Sequence, residues 1–203
     1  AQAFKPQLNR LSYSPPEARR ILDSLGWVVG KDSIRSKEGK KLEFNVLYPG
    51  SSRPREQAAV IIQSMLRDIG VSLKVTPMES ATFIAWASEG KFDTFLGSWQ
   101  VDPTPRSFMS TWHSQAIENG VNWGKYSNRT VDSLISRAVA ENQPDVRKEL
   151  FARMFEHLRN DPPAVWLYEP RPLMAIHSRI HVPVFRPDGW WLDLDKWEAV
   201  RER

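Results

Sequence analysis

Trp99 and Asp102 are the two residues whose types and spacing best suit the binding of a small molecule. They lie in the segment Gly97-Ser98-Trp99-Gln100-Val101-Asp102-Pro103-Thr104-Pro105. Trp99 offers a flat apolar face and one N–H donor, and Asp102 precedes a proline, which favours an extended backbone that presents the carboxylate outward. Such a pair suits a ligand with a cationic amine beside an extended backbone. Equally, Trp99 could close the edge of the core while Asp102 caps the following turn.

The sequence carries none of the short motifs that mark common catalytic or phosphate-binding sites. It has no glycine-rich phosphate loop, no dinucleotide fingerprint, no nucleophile elbow and no cysteine. His177 and His181 are four residues apart, but in a strand-to-loop segment, where that spacing does not place both rings on one face. Asp93 and Asp102 are possible acid–base carboxylates, yet no motif supports an enzyme. We therefore expect a non-enzymatic protein without metal or cofactor.

The composition is that of an ordinary globular protein. The 203 residues suffice for one large domain or two small ones, and 41% are hydrophobic while 26% are charged. The 28 Lys and Arg exceed the 24 Asp and Glu, but they are interspersed rather than concentrated in a stripe, so we expect no nucleic-acid partner. The longest aliphatic run, Ala58 to Ile62, is too short to span a membrane.

The elements that would position Trp99 follow a strand–helix–strand order. Alternation from Leu42 to Tyr48 and from Val71 to Val75 predicts two strands, and the apolar stripe from Ala58 to Ile69 predicts a helix between them. Such a βαβ unit normally has parallel strands. Phe92 to Trp99 predicts a third strand, which would place Trp99 at a carboxyl end, where α/β sheets bind ligands.

Further elements flank this unit. We expect a helix capped by Ser14, a polar loop at 30–39, and an irregular segment at 100–126 with a short helix at 106–112. Asn128 and Pro144 are expected to begin two amphipathic helices. Two short strands are predicted at 164–168 and 173–176.

Seven segments occur in a characteristic order between Ser14 and about Trp197. They are Pro15 to Trp27, Lys40 to Phe44 with Leu47-Tyr48, Gln63 to Val71, Met78-Glu79 with Thr82-Phe83, Gly90 to Asp93 leading to Trp99 and Asp102, Gly124 to Asn128 with Val131-Asp132, and Asp161 to Tyr168. This series resembles the extracellular solute-binding proteins of family 5. These are the oligopeptide-, dipeptide- and nickel-binding components of ABC importers.

The resemblance implies an α/β fold, a periplasmic binding protein type II-like lobe with a mixed sheet and flanking helices. Family members have two lobes around a cleft, and this chain resembles only the C-terminal part. It implies a lead-in strap at 1–13, the C-terminal lobe at 14–169, and a tail at 170–203 that would dock on the missing first lobe. The full-length protein would be periplasmic or extracellular and membrane-associated, with its signal outside this chain.

The resemblance also implies a ligand and a partner. A peptide-like solute would bind between the lobes, with Asp102 holding its amino terminus and Trp99 walling the pocket, and an ABC permease would recognise the closed form. Trp112, His113 and Trp123 are further candidates, which the long irregular segment could place in the cleft or on the outer surface. The alternatives are an oligosaccharide, a nickel chelate or another small solute on the same fold, or the sensor lobe of a transcriptional regulator.

Overall fold

The computed structural model describes residues 12–99, 106–168, 173–184 and 189–199. Within these ranges the helices are α1 (Pro15–Ser24), α2 (Arg53–Arg67), α3 (Ser80–Glu89), α4 (Arg106–Trp112), α5 (Ala116–Asn119), α6 (Arg129–Ala140) and α7 (Pro144–Asn160), followed by a 3₁₀ helix (Trp190–Lys196). The strands are β1 (Val28–Val29), β2 (Arg35–Lys37), β3 (Lys40–Lys41), β4 (Glu43–Pro49), β5 (Ser72–Met78), β6 (Thr94–Phe95), β7 (Ile180–His181) and β8 (Glu198–Ala199).

The predicted βαβ unit is present and parallel. Strand β4 lies between β5 and β6, and both neighbours run parallel to it. Val46 of β4 pairs with Val75 on one side and with Thr94 on the other. The third strand is shorter than predicted, because only Thr94 and Phe95 pair with β4.

Helix α2 covers this sheet through the apolar stripe that the sequence predicts. Ala59 is fully buried against Val46, Tyr48 and Leu73. The Gln63 side-chain amide donates a hydrogen bond to the Leu73 carbonyl at 2.6 Å, which fixes the helix against the start of β5. The packing therefore holds β4 and β5 in register, so that their carboxyl ends coincide.

The segment 30–39, predicted as a polar loop, contains strand β2, which pairs with β1 and β3 on either side of the segment in a small antiparallel sheet. Arg35 explains why such a polar segment is ordered. Its buried guanidinium donates to the Asp23 carboxylate at 2.5 Å and to the carbonyls of Trp27 and Ile69 at 2.7 and 2.8 Å. One side chain thus ties this small sheet to α1 and to the end of α2.

Residues 106–160 are mainly helical. Helices α6 and α7 pack against each other, and α4 lies against α6. Asn128 caps α6 as predicted, because its Oδ1 accepts from the backbone N–H groups of Thr130 and Val131. We call the buried core of this region the helical cluster; its members are Tyr126, Val131, Leu134, Ile135, Ala138, Leu150, Met154 and Leu158.

The two strands predicted at 164–168 and 173–176 are wrong. Both segments lack regular structure and expose large apolar side chains, among them Val165 and Leu173. Their β-branched and aromatic residues favour extended backbone, but no strand in the described ranges pairs with them. In the described ranges, no helix combines the length and the hydrophobicity that a membrane crossing requires.

Candidate functional site

The carboxyl ends of the three parallel strands meet at one edge of the sheet. In the pairing register Pro49 of β4 lies opposite Met78 of β5, and Leu47 lies opposite Phe95 of β6. The backbone N–H of Leu96 also donates to the Leu47 carbonyl at 2.8 Å. The segment after β6 therefore leaves the sheet at this edge and carries Trp99 with it, which is the position that the sequence predicts.

Five aromatic side chains converge at this edge. We call them the tryptophan cluster, and they are Phe95, Trp99, Trp112, Trp123 and Trp166. The ring centroid of Trp99 lies 6.1 Å from that of Trp112 and 6.0 Å from that of Trp123. Phe95 lies 5.6 Å from Trp99 and 5.9 Å from Trp123, and Trp112 lies 5.9 Å from Trp166. These are the separations of aromatic rings in contact.

The tryptophan cluster is incompletely covered. Trp99, Trp112 and Trp123 are half-buried, and Trp166 is 61% exposed. The indole nitrogen of Trp99 is buried, and no acceptor in the described part of the chain takes its hydrogen. A buried N–H without an acceptor costs free energy, so this nitrogen could hydrogen-bond a carbonyl or carboxylate of a bound molecule.

His113 lies beneath the loop rather than on its surface. It is 6% exposed. The backbone N–H of Gln115 donates to its Nδ1 at 3.2 Å, and its Nε2 shares a hydrogen bond with Ser136 Oγ at 3.2 Å. Both ring nitrogens are therefore engaged within the protein. Contact between His113 and a ligand stays a prediction, and the geometry favours a role in positioning the loop.

Asn122 and Asp132 complete the support of this loop, and the sequence analysis proposed neither as a site residue. The Asn122 amide donates to the carbonyls of His113 and Tyr126, at 3.1 and 2.8 Å, and accepts from the Tyr126 backbone N–H at 3.0 Å. Asp132 accepts from the Ser114 backbone N–H at 2.9 Å and from its hydroxyl at 2.6 Å. These bonds fix both ends of the segment that carries Trp123.

Two ionisable side chains near the site have shifted pKa values. Hydrogen bonds from the backbone N–H groups of Ala81 and Thr82 lower the pKa of Glu79, which caps α3 at the carboxyl edge of the sheet. Its carboxylate is thus already occupied. Burial raises the pKa of Tyr126, and the nearby Asp161 charge adds to this. Across the described ranges, no three His, Asp or Glu side chains are grouped so that they could hold a metal ion.

An open surface depression of about 460 Å³ lies between α4, α5 and α6. Its lining includes the apolar Met109, Ala116 and Val139 and the polar Arg106 and Gln115. None of the lining residues belongs to the tryptophan cluster. The depression and the cluster are therefore separate features.

Three of the predicted site residues thus come together. Trp99, Trp112 and Trp123 are neighbours, His113 is buried with its hydrogen bonds made within the protein, and Asp102 lies outside the described residues. Phe95 and Trp166 join the cluster although the sequence analysis did not single them out. For Phe95 the signal was available, because it belongs to the strand that leads to Trp99.

Comparisons with known proteins give both a family and a fold. Residues 1–120 match the family model described as bacterial extracellular solute-binding proteins, family 5 Middle. The chain is similar to the oligopeptide-binding protein AppA of Bacillus subtilis, with 24% identity over 191 residues, which are 93% of this chain and 35% of AppA. It is 30% identical over 141 residues to the oligopeptide-binding protein OppA of Mycobacterium tuberculosis, which are 69% of this chain and 23% of OppA.

Two solved structures resemble the described chain. The structure of Bacillus subtilis AppA in complex with a nonapeptide superposes with a TM-score of 0.81 at 22% identity, covering 98% of this chain and 40% of AppA. NikZ from Campylobacter jejuni in complex with Ni(L-His) gives a TM-score of 0.65 at 31% identity, covering 74% of this chain and 31% of NikZ. The predicted type II-like α/β lobe is confirmed. The chain spans only 23% to 40% of the length of these relatives.

Proposed function

Because the chain belongs to family 5 of the bacterial extracellular solute-binding proteins, we propose that it is one lobe of the substrate-binding component of an ABC importer and that it binds a peptide-like solute. AppA and OppA are named as oligopeptide-binding proteins, and the AppA structure contains a nonapeptide. The proposed role is binding and delivery to a membrane permease, without catalysis. The complete protein would act in the periplasm or outside the cell, associated with the membrane.

The tryptophan cluster is the observation that carries this proposal. Ligands of α/β sheets bind at the carboxyl ends of the strands, and Trp99, Trp112 and Trp123 are in contact at that edge with half-exposed rings. Binding pockets are lined mainly by apolar and aromatic side chains with a few directed polar groups. The cluster supplies the aromatic walls, and the unpartnered Trp99 N–H supplies a directed donor.

Each predicted site residue has a distinct part in the proposal. The Trp99 N–H would donate to a backbone carbonyl of the peptide, while the Trp112 and Trp123 rings would contact its side chains. Asp102 would accept hydrogen bonds from the peptide ammonium group, a charge-assisted contact. His113 would act indirectly, by holding the loop in place. Its backbone carbonyl accepts a hydrogen bond from the Asn122 side chain. Together these contacts would fix both the position and the direction of the ligand.

Exposed apolar side chains beyond α7 support the proposal that a first lobe covers this surface in the complete protein. Val165, Leu167, Tyr168 and Leu173 are all exposed, and Trp166 is adjacent to them. Monomeric proteins rarely leave several large apolar side chains uncovered so close together in the chain. We propose that residues 14–169 form the C-terminal lobe, that 1–13 is a lead-in strap, and that 170–203 docks on the first lobe. The ligand would then be enclosed when a hinge closes the two lobes.

The test uses the complete two-lobed protein, because half of the cleft would make only part of the contacts. Native mass spectrometry would identify the solute retained on purification, and calorimetry would measure the affinity for peptides. Asp102→Asn should weaken peptide binding about tenfold to a hundredfold, the effect of losing a hydrogen bond to a charged group, roughly 1.5–3 kcal/mol. Asp145→Asn, an exposed change in the first turn of α7, is the matched control.

The outcomes separate the candidate ligands. Retention of peptides, with affinity that depends on Asp102 and not on Asp145, supports the proposal. Retention of a neutral oligosaccharide, with affinity that Asp102→Asn leaves unchanged, would contradict it. A retained metal chelate would likewise move the assignment to the class of solute that the NikZ structure contains.

A further inference from the structure

Helix α1 is amphipathic, but it contributes no buried side chain to the core. Ile21 of α1 and Leu25 directly after it lie one turn apart and are 44% and 55% exposed. Among the described side-chain hydrogen bonds, those that join α1 to other elements are made by the polar Arg19 and Asp23. The apolar side of the helix is therefore left at the surface of this chain.

Strand β1 continues this apolar surface. It is an edge strand of the small antiparallel sheet, and its two residues, Val28 and Val29, are 68% and 53% exposed. Consecutive residues of a strand project to opposite faces of the sheet, so the edge is apolar on both sides. We call Ile21, Leu25, Val28 and Val29 the apolar edge.

Two lysines of the same small sheet form a like-charge pair. Lys37 of β2 lies directly opposite Lys40 of β3, and both are exposed. Like charges in this position repel each other and destabilise a sheet. Lys41 has a carboxylate partner in Asp32, but no carboxylate in the described ranges, including that of Glu38 in the intervening turn, forms an ion pair with Lys37 or Lys40. An anion bound between the two ammonium groups would relieve their repulsion.

The Lys37 side chain lies beside the apolar edge. A methyl group at Gly26 would be 3.8 Å from Lys37 Cε, so the aliphatic stem of the lysine passes the turn that follows Leu25. Val29 pairs with Arg35, and Lys37 is two residues beyond Arg35 on β2, which places Val29 and Lys37 on the same face of the sheet. Lysine can cover apolar surface with its stem while its ammonium group stays in water.

This surface lies at the opposite end of β4 from the tryptophan cluster. Strand β3 ends at Lys41 and β4 begins at Glu43, whereas the cluster lies at the carboxyl edge beyond β4. The seven residues of β4 separate the two ends by about 20 Å at the usual rise of a strand. A partner of the apolar edge would therefore leave the proposed solute site open.

We propose that the apolar edge, together with Lys37 and Lys40, contacts the surface of an anionic phospholipid membrane. An exposed amphipathic helix with apolar side chains and neighbouring lysines is the chemistry of proteins that lie on such surfaces. The lysines bind lipid phosphate groups, and Leu25 and Val29 enter the boundary between head groups and acyl chains. This inference goes beyond the proposed function, because it does not depend on the identity of the solute.

The experiment measures vesicle binding by the complete two-lobed protein, prepared without any lipid modification. The probes are vesicles of phosphatidylcholine alone and of phosphatidylcholine mixed with phosphatidylglycerol, used in co-sedimentation at low and at high salt. We expect binding to the mixed vesicles and its loss at high salt, because salt screens the attraction between lysine and lipid.

Two variants test the two parts of the surface. The double variant Lys37→Gln/Lys40→Gln should weaken binding to the mixed vesicles about tenfold to thirtyfold, since each lysine near an anionic surface contributes roughly fivefold. Leu25→Gln, which leaves the charge unchanged, should weaken binding about threefold to tenfold through the loss of apolar contact with the lipid.

Each variant has a matched control. Lys148→Gln/Arg153→Gln removes the same charge from exposed positions on α7, and Ile61→Gln replaces a residue on α2 that is 54% exposed. Both control proteins should bind the mixed vesicles as the wild type does. Melting temperatures and calorimetry with the solute should be the same for all variants, which shows that the fold and the solute site are intact.

The outcomes separate a membrane from the other possible occupants. Absence of binding to the mixed vesicles overturns the inference, and so does equal weakening by the two double variants, which would indicate attraction through net charge alone. A dimer of the complete protein that Leu25→Gln dissociates, without vesicle binding, would assign the apolar edge to a second copy and also overturn it. If vesicle binding behaves as expected but no peptide binds, the membrane inference stands and the peptide function fails.

Discussion

The helical cluster and the tryptophan cluster are both rich in large apolar side chains, but only the first is complete within this chain. Ile135 and Met154 of the helical cluster are fully buried, whereas Trp166 of the tryptophan cluster is largely exposed. Trp112 of the tryptophan cluster connects the two regions, because it packs against the helical cluster and also contacts Trp99. The difference separates side chains that stabilise the fold from side chains that are available to a ligand or to a second lobe.

Sequence spacing accounts for the completeness of the helical cluster. Val131, Leu134, Ile135 and Ala138 recur at helical spacing on α6 and face the corresponding stripe of α7. Each helix covers the other, and Phe108, Met109 and Trp112 of α4 pack against the same core. The tryptophan cluster instead lies where strands end and loops begin. Its rings contact one another and the sheet edge, but part of their surface stays exposed to solvent.

Met154→Ala is expected to give the largest loss of stability. The side chain has no solvent exposure, and removing a buried methionine side chain leaves a cavity that costs about 2–5 kcal/mol. Chemical denaturation monitored by circular dichroism measures this loss. Met65→Ala, a change of the same type at a residue that is 43% exposed on α2, should cost under about 1 kcal/mol. Equal losses for the two variants would contradict the tight packing of Met154 in the helical cluster.

Asn122→Ala is expected to have an intermediate effect, because Asn122 supports the loop between the two clusters. The side chain is 3% exposed and makes three hydrogen bonds to backbone groups. Its loss leaves buried donors and acceptors unpaired, at a cost of about 1–3 kcal/mol. Tryptophan fluorescence should change as well, since the loop carries Trp123.

The exposed Asn142, between α6 and α7, provides the control for that experiment. Asn142→Ala should alter neither the free energy of unfolding nor the tryptophan fluorescence. If Asn122→Ala destabilises the protein without any change in fluorescence, the loop does not depend on Asn122 for the position of Trp123.

Trp166→Ala is expected to give the smallest loss of stability, under about 1 kcal/mol by the same denaturation measurement. The ring is mostly exposed, so little apolar surface leaves the interior, and its described ring contact is with Trp112. In the complete protein the same change should weaken ligand binding or lobe contact more than it weakens the fold. A loss as large as that of Met154→Ala would mean that Trp166 closes the core of this chain by itself.

The elements that the sequence predicted correctly are those with strong local patterns. The parallel βαβ unit follows from alternation and helical spacing, and the beginning of α6 follows from the capping group of Asn128. The sheet of β1, β2 and β3 was missed because its strands are only two or three residues long and largely polar. They are ordered by the long-range bonds of Arg35 to Asp23 and Ile69, which no local pattern reveals.

The wrong strands at 164–168 and 173–176 have the opposite cause. Their residues favour extended backbone, but a strand requires a neighbour that supplies hydrogen bonds, and in the described ranges none is adjacent. The residue types therefore predicted an extended backbone, but they gave no information about whether a neighbouring strand would be present to pair with it.

By itself, the sequence determined the α/β class, the starts of the helices capped by Ser14 and Asn128, and the position of Trp99 after a strand, because these depend on residues close together in the chain. The tertiary structure decided that Trp99 meets Trp112 and Trp123, and that Trp112 meets Trp166. Such meetings depend on how the sheet, the helices and the loops pack together, and sequence spacing carries no measure of that packing.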